Sequence, residues 1–354
     1  MTESPSRHPP AGSEPNRATK RELRRKRFKC LLALAFVPFA LLVTEVGLRV
    51  AGKGPFRPEP STRDDPPLHV GHEVLGWVNR DSPVTLAPFS EGAKEIPMTF
   101  WKGGLRATAA ERTPHPSQVA LVGGSCTQGM AIPDADTWPW KLQTAFPEHE
   151  LLNYGTGGYG TYQSLLRLEE LLGREGAPPK LVIYGFATFH GIRNVAHRNW
   201  LKSLRRHEGR GHVDVPYCAL EGGDLVRHPP VGYPSWPGSS KVALISFAQD
   251  LAVKVQTRGR RKQQVAVTQR LIKAMHELCE AKGSRLLVAV LIGPDDQRAE
   301  YVRYFDAEKI RYVDVNHPKF GEPGFRVEGD GHPNAVVTSS WAEQLAPAMR
   351  EALR

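Results

Sequence analysis

The stretch Val119-Ala120-Leu121-Val122-Gly123-Gly124-Ser125-Cys126-Thr127-Gln128-Gly129-Met130 decides the fold. Four apolar residues, Val119 to Val122, suit a buried strand, and two glycines then stop it. Ser125 follows at once. An apolar strand that ends on glycine and presents a serine is how an open α/β sheet exposes a nucleophile at a strand's carboxyl end. The glycines permit a tight turn, and the free N–H groups beyond it can face an oxyanion. Taken alone, Gly-Gly-Ser is also an ordinary loop.

Working outward, the same arrangement recurs. Thr137-Trp138-Pro139-Trp140 opens a helix, with Asp136 or Thr137 as N-cap. Glu150 to Asn153 is a short second strand, ending in Tyr154-Gly155-Thr156-Gly157-Gly158-Tyr159-Gly160. Tyr162 to Leu172 is a helix with a leucine face. Leu181 to Phe186 is a third strand, Leu286 to Ile292 a fourth and Tyr312 to Val315 a fifth. Helices are expected over 240–255, 262–281, 296–308 and 336–353. The cluster Arg258-Gly259-Arg260-Arg261-Lys262 reads as a solvated loop between two of them. Alternating strands and helices argue for an α/β fold, a parallel sheet covered by helices on both faces. No internal repeat is present.

The amino end has a different character. Residues 1–29 hold nine Lys and Arg against three acids, which is +6 of the formal +10 in 354 residues. They read as a basic, disordered, cytoplasmic tail. The remainder is close to charge balance, so the body is not built to bind nucleic acid. Leu31 to Val43 is an unbroken apolar run, and continuation to Val50 reaches bilayer length. Residues 30–50 are therefore expected to be a transmembrane signal-anchor helix, ahead of a cleaved signal peptide or a buried soluble helix. Glu45 and Arg49, spaced i, i+4, can pair at its far end. The basic flank places the amino terminus inside the cytoplasmic membrane and the body in the periplasm or outside the cell. Cys30 precedes the apolar run, the wrong place for a lipoprotein cysteine. Residues 51–68 form a Pro-rich linker. Residues 69–117 form an irregular N-terminal extension, with 75–77 and 104–106 as short ordered segments. Residues 118–354 form the main domain, and an insertion at about 203–238 reads as a cover over the site or a mobile flap. If the body meets an oxidising compartment, Cys218 with Cys279 is one disulfide open to it.

Three strand-end loops now carry chemistry of one kind. They are Gly-Gly-Ser-Cys-Thr, Gly-Thr-Gly-Gly-Tyr-Gly and, at 330–334, Asp-Gly-His-Pro-Asn. Loops at the carboxyl ends of parallel strands share one rim. Serine needs a base, histidine has a suitable pKa, and a carboxylate fixes its tautomer. Ser125, His332 and Asp330 are thus a candidate triad. Cys126 would point away from a site that Ser125 enters. Asp295, Asp296 and the scattered histidines show no metal-ligand spacing, and no cofactor motif is present.

These segments resemble the SGNH hydrolases, or GDSL-like esterases, and in their membrane helix with Glu-x-x-x-Arg they resemble the family's anchored bacterial members. Gly123-Gly124-Ser125-Cys126 matches the first block, Asn153 to Gly160 the second, and Asp330 to Asn334 the last. The resemblance covers 119–353. It implies the family's three-layer α/β/α, flavodoxin-like parallel sheet, with the Ser125 and Gly158 backbone N–H groups in the oxyanion hole. It implies hydrolysis of an O-acyl or O-acetyl ester, with an acylated cell-envelope glycan or lipid as the partner substrate. Two departures stand out. Gly124 replaces the first-block Asp. In the third block, alignment on Gly191-Ile192-Arg193 puts Phe189 where an asparagine donor belongs and His190 at the following aspartate. Thr188, His190 and Asn194 are the candidate replacements. Two alternatives follow: acyl transfer to a glycan through the same acyl-enzyme, or a non-catalytic glycan-binding protein with a degenerate oxyanion hole.

Overall fold

The computed structural model describes residues 17–57, 64–65, 67–205 and 213–354. They fall into two units. One takes the chain up to residue 56 together with 235–249, and the other takes 57–234 with 250–354.

The first unit is dominated by helix α1, Arg17–Val50. Residues 17–29, expected as disordered tail, continue this helix toward its amino end, while 1–16 lie outside the described residues. The stretch from Arg21 to Val50 is long and apolar enough to cross a membrane. Leu31, Leu34, Phe36, Phe39 and Leu42 are all exposed, as a lipid-facing helix requires and a core helix forbids. At its end Glu45 and Arg49 pair. The Glu45 carboxylate also accepts the backbone N–H groups of Ala243 and Leu244, at 2.9 and 2.8 Å. It therefore caps helix α7, Ala243–Lys262, with an acid at the positive end of the dipole.

The second unit is built on a seven-stranded sheet. Its parallel part comprises β1 (Gln118–Gly123), β2 (Glu150–Asn153), β3 (Leu181–Ala187), β4 (Arg285–Ile292) and β5 (Tyr312–Asp314). The spatial order is 2-1-3-4-5, the flavodoxin-like arrangement, whose switch point lies between β1 and β3. Side-chain alternation along β1 builds two cores. Val119 and Leu121 meet Trp138 and Leu142 of α3 (Trp138–Ala145) and Trp341 and Leu345 of α10 (Ala335–Leu353). Ala120 and Val122 meet Leu165 and Leu168 of α4 (Thr161–Leu172), Leu271 and Met275 of α8 (Gln264–Ala281), and Phe305 of α9 (Asp295–Ala307). Three layers result, and strands buried on both faces explain the continuous apolar runs. Thr137 caps α3 by accepting the Trp140 N–H.

Several expectations are corrected. The extension is ordered into short strands. Leu105–Arg106 and Phe100–Trp101 add antiparallel to the β2 edge of the sheet, and His69–His72 pairs with Gly76–Asn79. The basic cluster at 258–262 is the last turn of α7. There cations complement the helix dipole, and Arg260 stacks on Tyr217. Cys218 and Cys279 are free thiols buried in the same core, and burial pushes each up to about 12. Within the expected insertion, 206–212 lie outside the described residues. Val215–Glu221 and Asp224–Val231 pair as an antiparallel hairpin. Arg227 fastens it to Glu169 on α4, so this part lies against the helical layer.

Candidate active site

Ser125 opens the short helix α2, Ser125–Gln128, directly after β1. The turn is tight because Thr127 folds back over the sheet. Gly123 and Gly185 are register partners on β1 and β3. A Cβ on either would stand 2.2 or 2.0 Å from Thr127 Oγ1. As the first helical residue, Ser125 has a backbone N–H that the helix leaves unbonded.

The last block lies across from it. Asp330 and His332 occupy the loop before α10, and the Asn334 side chain caps that helix by accepting the N–H groups of Val336 and Val337. His332 Nε2 lies 2.9 Å from Ser125 Oγ. Its Nδ1 lies 2.5 Å from Asp330 Oδ1, which also accepts the His332 backbone N–H. The loop is held through Val327, whose N–H donates to His332 O and whose carbonyl accepts from Gly331 N. Ser125 and His332, 207 positions apart in the chain, are thereby brought with Asp330 into one hydrogen-bonded line of hydroxyl, imidazole and carboxylate. Such a line can deprotonate a serine and stabilise the resulting imidazolium.

Gly158 lies in the loop after β2. Its φ is +85°, and a Cβ there would meet Trp77 Cζ2 at 2.8 Å. Trp77 also donates from Nε1 to Gly157 O at 2.7 Å, and Tyr159 Oη donates to Trp77 O. Asn79 binds the base of the same loop. Its amide donates to Gly155 O and Gly104 O, each at 2.9 Å, and its Oδ1 accepts from Gln128 Nε2 at 2.8 Å. Asn153 donates to Thr127 O and accepts from Gly155 N. The loop and the turn after Ser125 are thus joined in one buried polar network through residues of the N-terminal extension. Trp77, Asn79 and Gln128 are absent from the sequence-based site. Trp77 and Asn79 stand in no motif, and only the fold shows what they hold.

The three candidate replacement donors separate. Asn194 is spent in the core: Oδ1 accepts from Tyr162 N, and Nδ2 donates to Thr161 Oγ1 and Thr268 Oγ1. It is withdrawn as an oxyanion donor. Thr188 crowds Gly293, and its N–H donates to Ile292 O. His190 is fully buried on α5 (His190–Asn194), with Nδ1 2.9 Å from Tyr184 Oη. Its Nε2 would lie 3.0 Å from a Cβ at Gly124. Burial, and then the charge of Arg193, hold it well below the usual imidazole range, so it is neutral at neutral pH. Phe189 precedes α5 and carries the Arg193 guanidinium on its ring at 4.7 Å. Cys126 is buried, and desolvation pushes its thiol up to about 12.

No family model matches the chain, and no curated protein matches it. Solved structures similar in shape include TesA, at 15% identity and TM-score 0.41, over 67% of this chain and 99% of that one. Another is the psychrotrophic esterase EstA from Pseudoalteromonas sp., at 12% identity and TM-score 0.41, over 67% and 98%. A third is a GDSL-like lipase from Bacteroides thetaiotaomicron, at 18% identity and TM-score 0.36, over 69% and 94%. Likenesses this distant leave the assignment to the site's own geometry.

Proposed function

We propose that the chain is a serine hydrolase of the SGNH type, an esterase acting on an O-acyl or O-acetyl ester of a cell-envelope glycan or lipid. The observation that carries this reading is the 2.9 Å approach of His332 Nε2 to Ser125 Oγ, with Asp330 on the other ring nitrogen. Ser125 Oγ attacks the ester carbonyl while His332 Nε2 takes the hydroxyl proton. Asp330 accepts from Nδ1–H, which fixes the tautomer and stabilises the cation. The backbone N–H groups of Ser125 and Gly158 receive the oxyanion. Collapse breaks the ester C–O bond, and His332 returns the proton to the departing alcohol. Water, deprotonated by His332, then releases the acid. The residues at 30–50 anchor the protein in the cytoplasmic membrane, amino terminus inside, with the catalytic unit in the periplasm or outside the cell. The length and apolar surface of α1 support the anchor.

The test is turnover of short-chain acyl esters and acetylated glycans by the detergent-solubilised full chain. Hydrolysis that disappears in Ser125→Ala is expected. Undiminished hydrolysis in that variant overturns the assignment. Phe189 at the position of the family's asparagine donor favours a second reading, a glycan-binding protein without turnover. It predicts glycan affinity unchanged by Ser125→Ala and no hydrolysis by the unmutated chain.

A further inference from the structure

Gly124, beside the nucleophile, lets the backbone pack closely against a cation. A Cβ at residue 124 would stand 3.0 Å from His190 Nε2, 3.0 Å from Tyr159 O and 3.3 Å from Arg193 Nη1. The Arg193 guanidinium lies between two aromatic rings, 4.7 Å from the centre of Phe189 and 4.5 Å from Trp200. Nη1 donates to Tyr159 O at 2.8 Å. Among the described residues Arg193 makes no ion pair with a carboxylate. Other arginines of this unit do: Arg106 with Asp134, Arg198 with Asp250 and Arg298 with Asp295.

A desolvated cation is costly unless it meets an anion or several acceptors. Ring faces and one carbonyl offset part of that cost. Burial lowers Arg193 to about 10, so it remains charged at neutral pH, and the residue keeps some exposed surface. The two rings hold the guanidinium, and His190 packs close by as a neutral group.

We propose that Arg193 forms a subsite for an acidic group of the substrate, a carboxylate carried close to the scissile ester. The inference rests on the serine-hydrolase reading and narrows its substrate class to anionic acyl esters. Glycine at 124 is part of the device, because a side chain there would press on the guanidinium, and an aspartate would bring its own carboxylate to it.

Arg193 also holds Tyr159 O, in the loop of Gly158, so a purely positioning role must be separated. The probes are nitrophenyl alkylphosphonates ending in a carboxylate, each paired with its methyl amide. Ser125 Oγ bonds to phosphorus, nitrophenolate leaves, and His332 takes the hydroxyl proton. In the unmutated full chain the carboxylate reagents should inactivate on the order of 10- to 100-fold faster than the amides, the worth of one charge-assisted hydrogen bond. Arg193→Gln should abolish the preference, read as the ratio of the two inactivation rates, so that any common slowing through the lost Tyr159 O contact divides out. Arg193→Lys should retain part of it. Equal rates for both reagents in the unmutated chain overturn the inference without any variant. Equal slowing of both by Arg193→Gln assigns the residue to positioning and also overturns it. Absence of any Ser125 adduct refutes the hydrolase reading itself.

Discussion

Replacing Asn79 by alanine probes how the N-terminal extension builds the site. Asn79 is about 5% exposed. Its side chain satisfies three buried groups, Gly104 O, Gly155 O and Gln128 Nε2, at 2.8 to 2.9 Å. Truncation leaves each without that partner. At about 1–3 kcal/mol for an unsatisfied buried group, and with incomplete additivity, the loss comes to roughly 3–5 kcal/mol. Denaturant unfolding should show it as a lower midpoint with an unchanged slope. Gly155 begins the loop that carries Gly158, so the proposed oxyanion donor should also drift. Complete loss of one such donor costs on the order of 10²–10³ in rate. A partial shift should slow fluorophosphonate labelling of Ser125 by about 10- to 100-fold under that ceiling. The assay is the labelling rate at a denaturant concentration where the variant is still folded. A variant destabilised as expected but labelled at the full rate would refute the link between the extension and the oxyanion loop.

Gly123→Ala should destabilise by about 2–3 kcal/mol through overpacking, because its Cβ would lie 2.2 Å from Thr127 Oγ1. Adding Thr127→Ala should recover part of this in a double-mutant unfolding cycle, since Thr127 Oγ1 is buried without a hydrogen bond. Burial raises the Asp250 carboxyl, but hydrogen bonds from Arg198, Tyr233 and Lys202 override it and bring the group to about 2. The folded state thus holds the carboxylate more strongly than the unfolded state, and this stability is complete above about pH 4 and lost as pH falls toward 2. Asp250→Asn should lower stability at neutral pH by about 2 kcal/mol and flatten that acid limb in urea titrations. Cys126 should resist iodoacetamide in the native protein at neutral pH, because its thiol is raised to about 12, and Cys126→Ala should label at Ser125 as the unmutated chain does.

The sheet was legible where strands are buried on both faces, because β1, β3 and β4 read as apolar runs broken by glycine. The alternation of strands and helices argued for a parallel sheet, and its flavodoxin-like arrangement came from the resemblance alone. The extension was not legible, because strands of two to four residues such as Phe100–Trp101 are too short to show a period. The basic end of α7 was misread because charge suggested a loop, whereas a helix terminus accommodates those cations equally well. Ser125, Asp330 and His332 were nameable because they stand in glycine-marked blocks. Trp77, Asn79 and Arg193 were not, since their partners are backbone carbonyls and rings that only the folded chain brings near. One signal for Arg193 was available: an arginine beside the position where the asparagine donor is missing.

The most direct measurement is fluorophosphonate labelling of the detergent-solubilised full chain, with the adduct located by peptide mass spectrometry, beside Ser125→Ala and His332→Ala. A single adduct on Ser125, absent from the first variant and slowed by at least a hundredfold in the second, is predicted on the order of a general-base contribution. A folded chain that takes no label, or labels at Ser125 equally fast without His332, would contradict an activated serine at the end of β1.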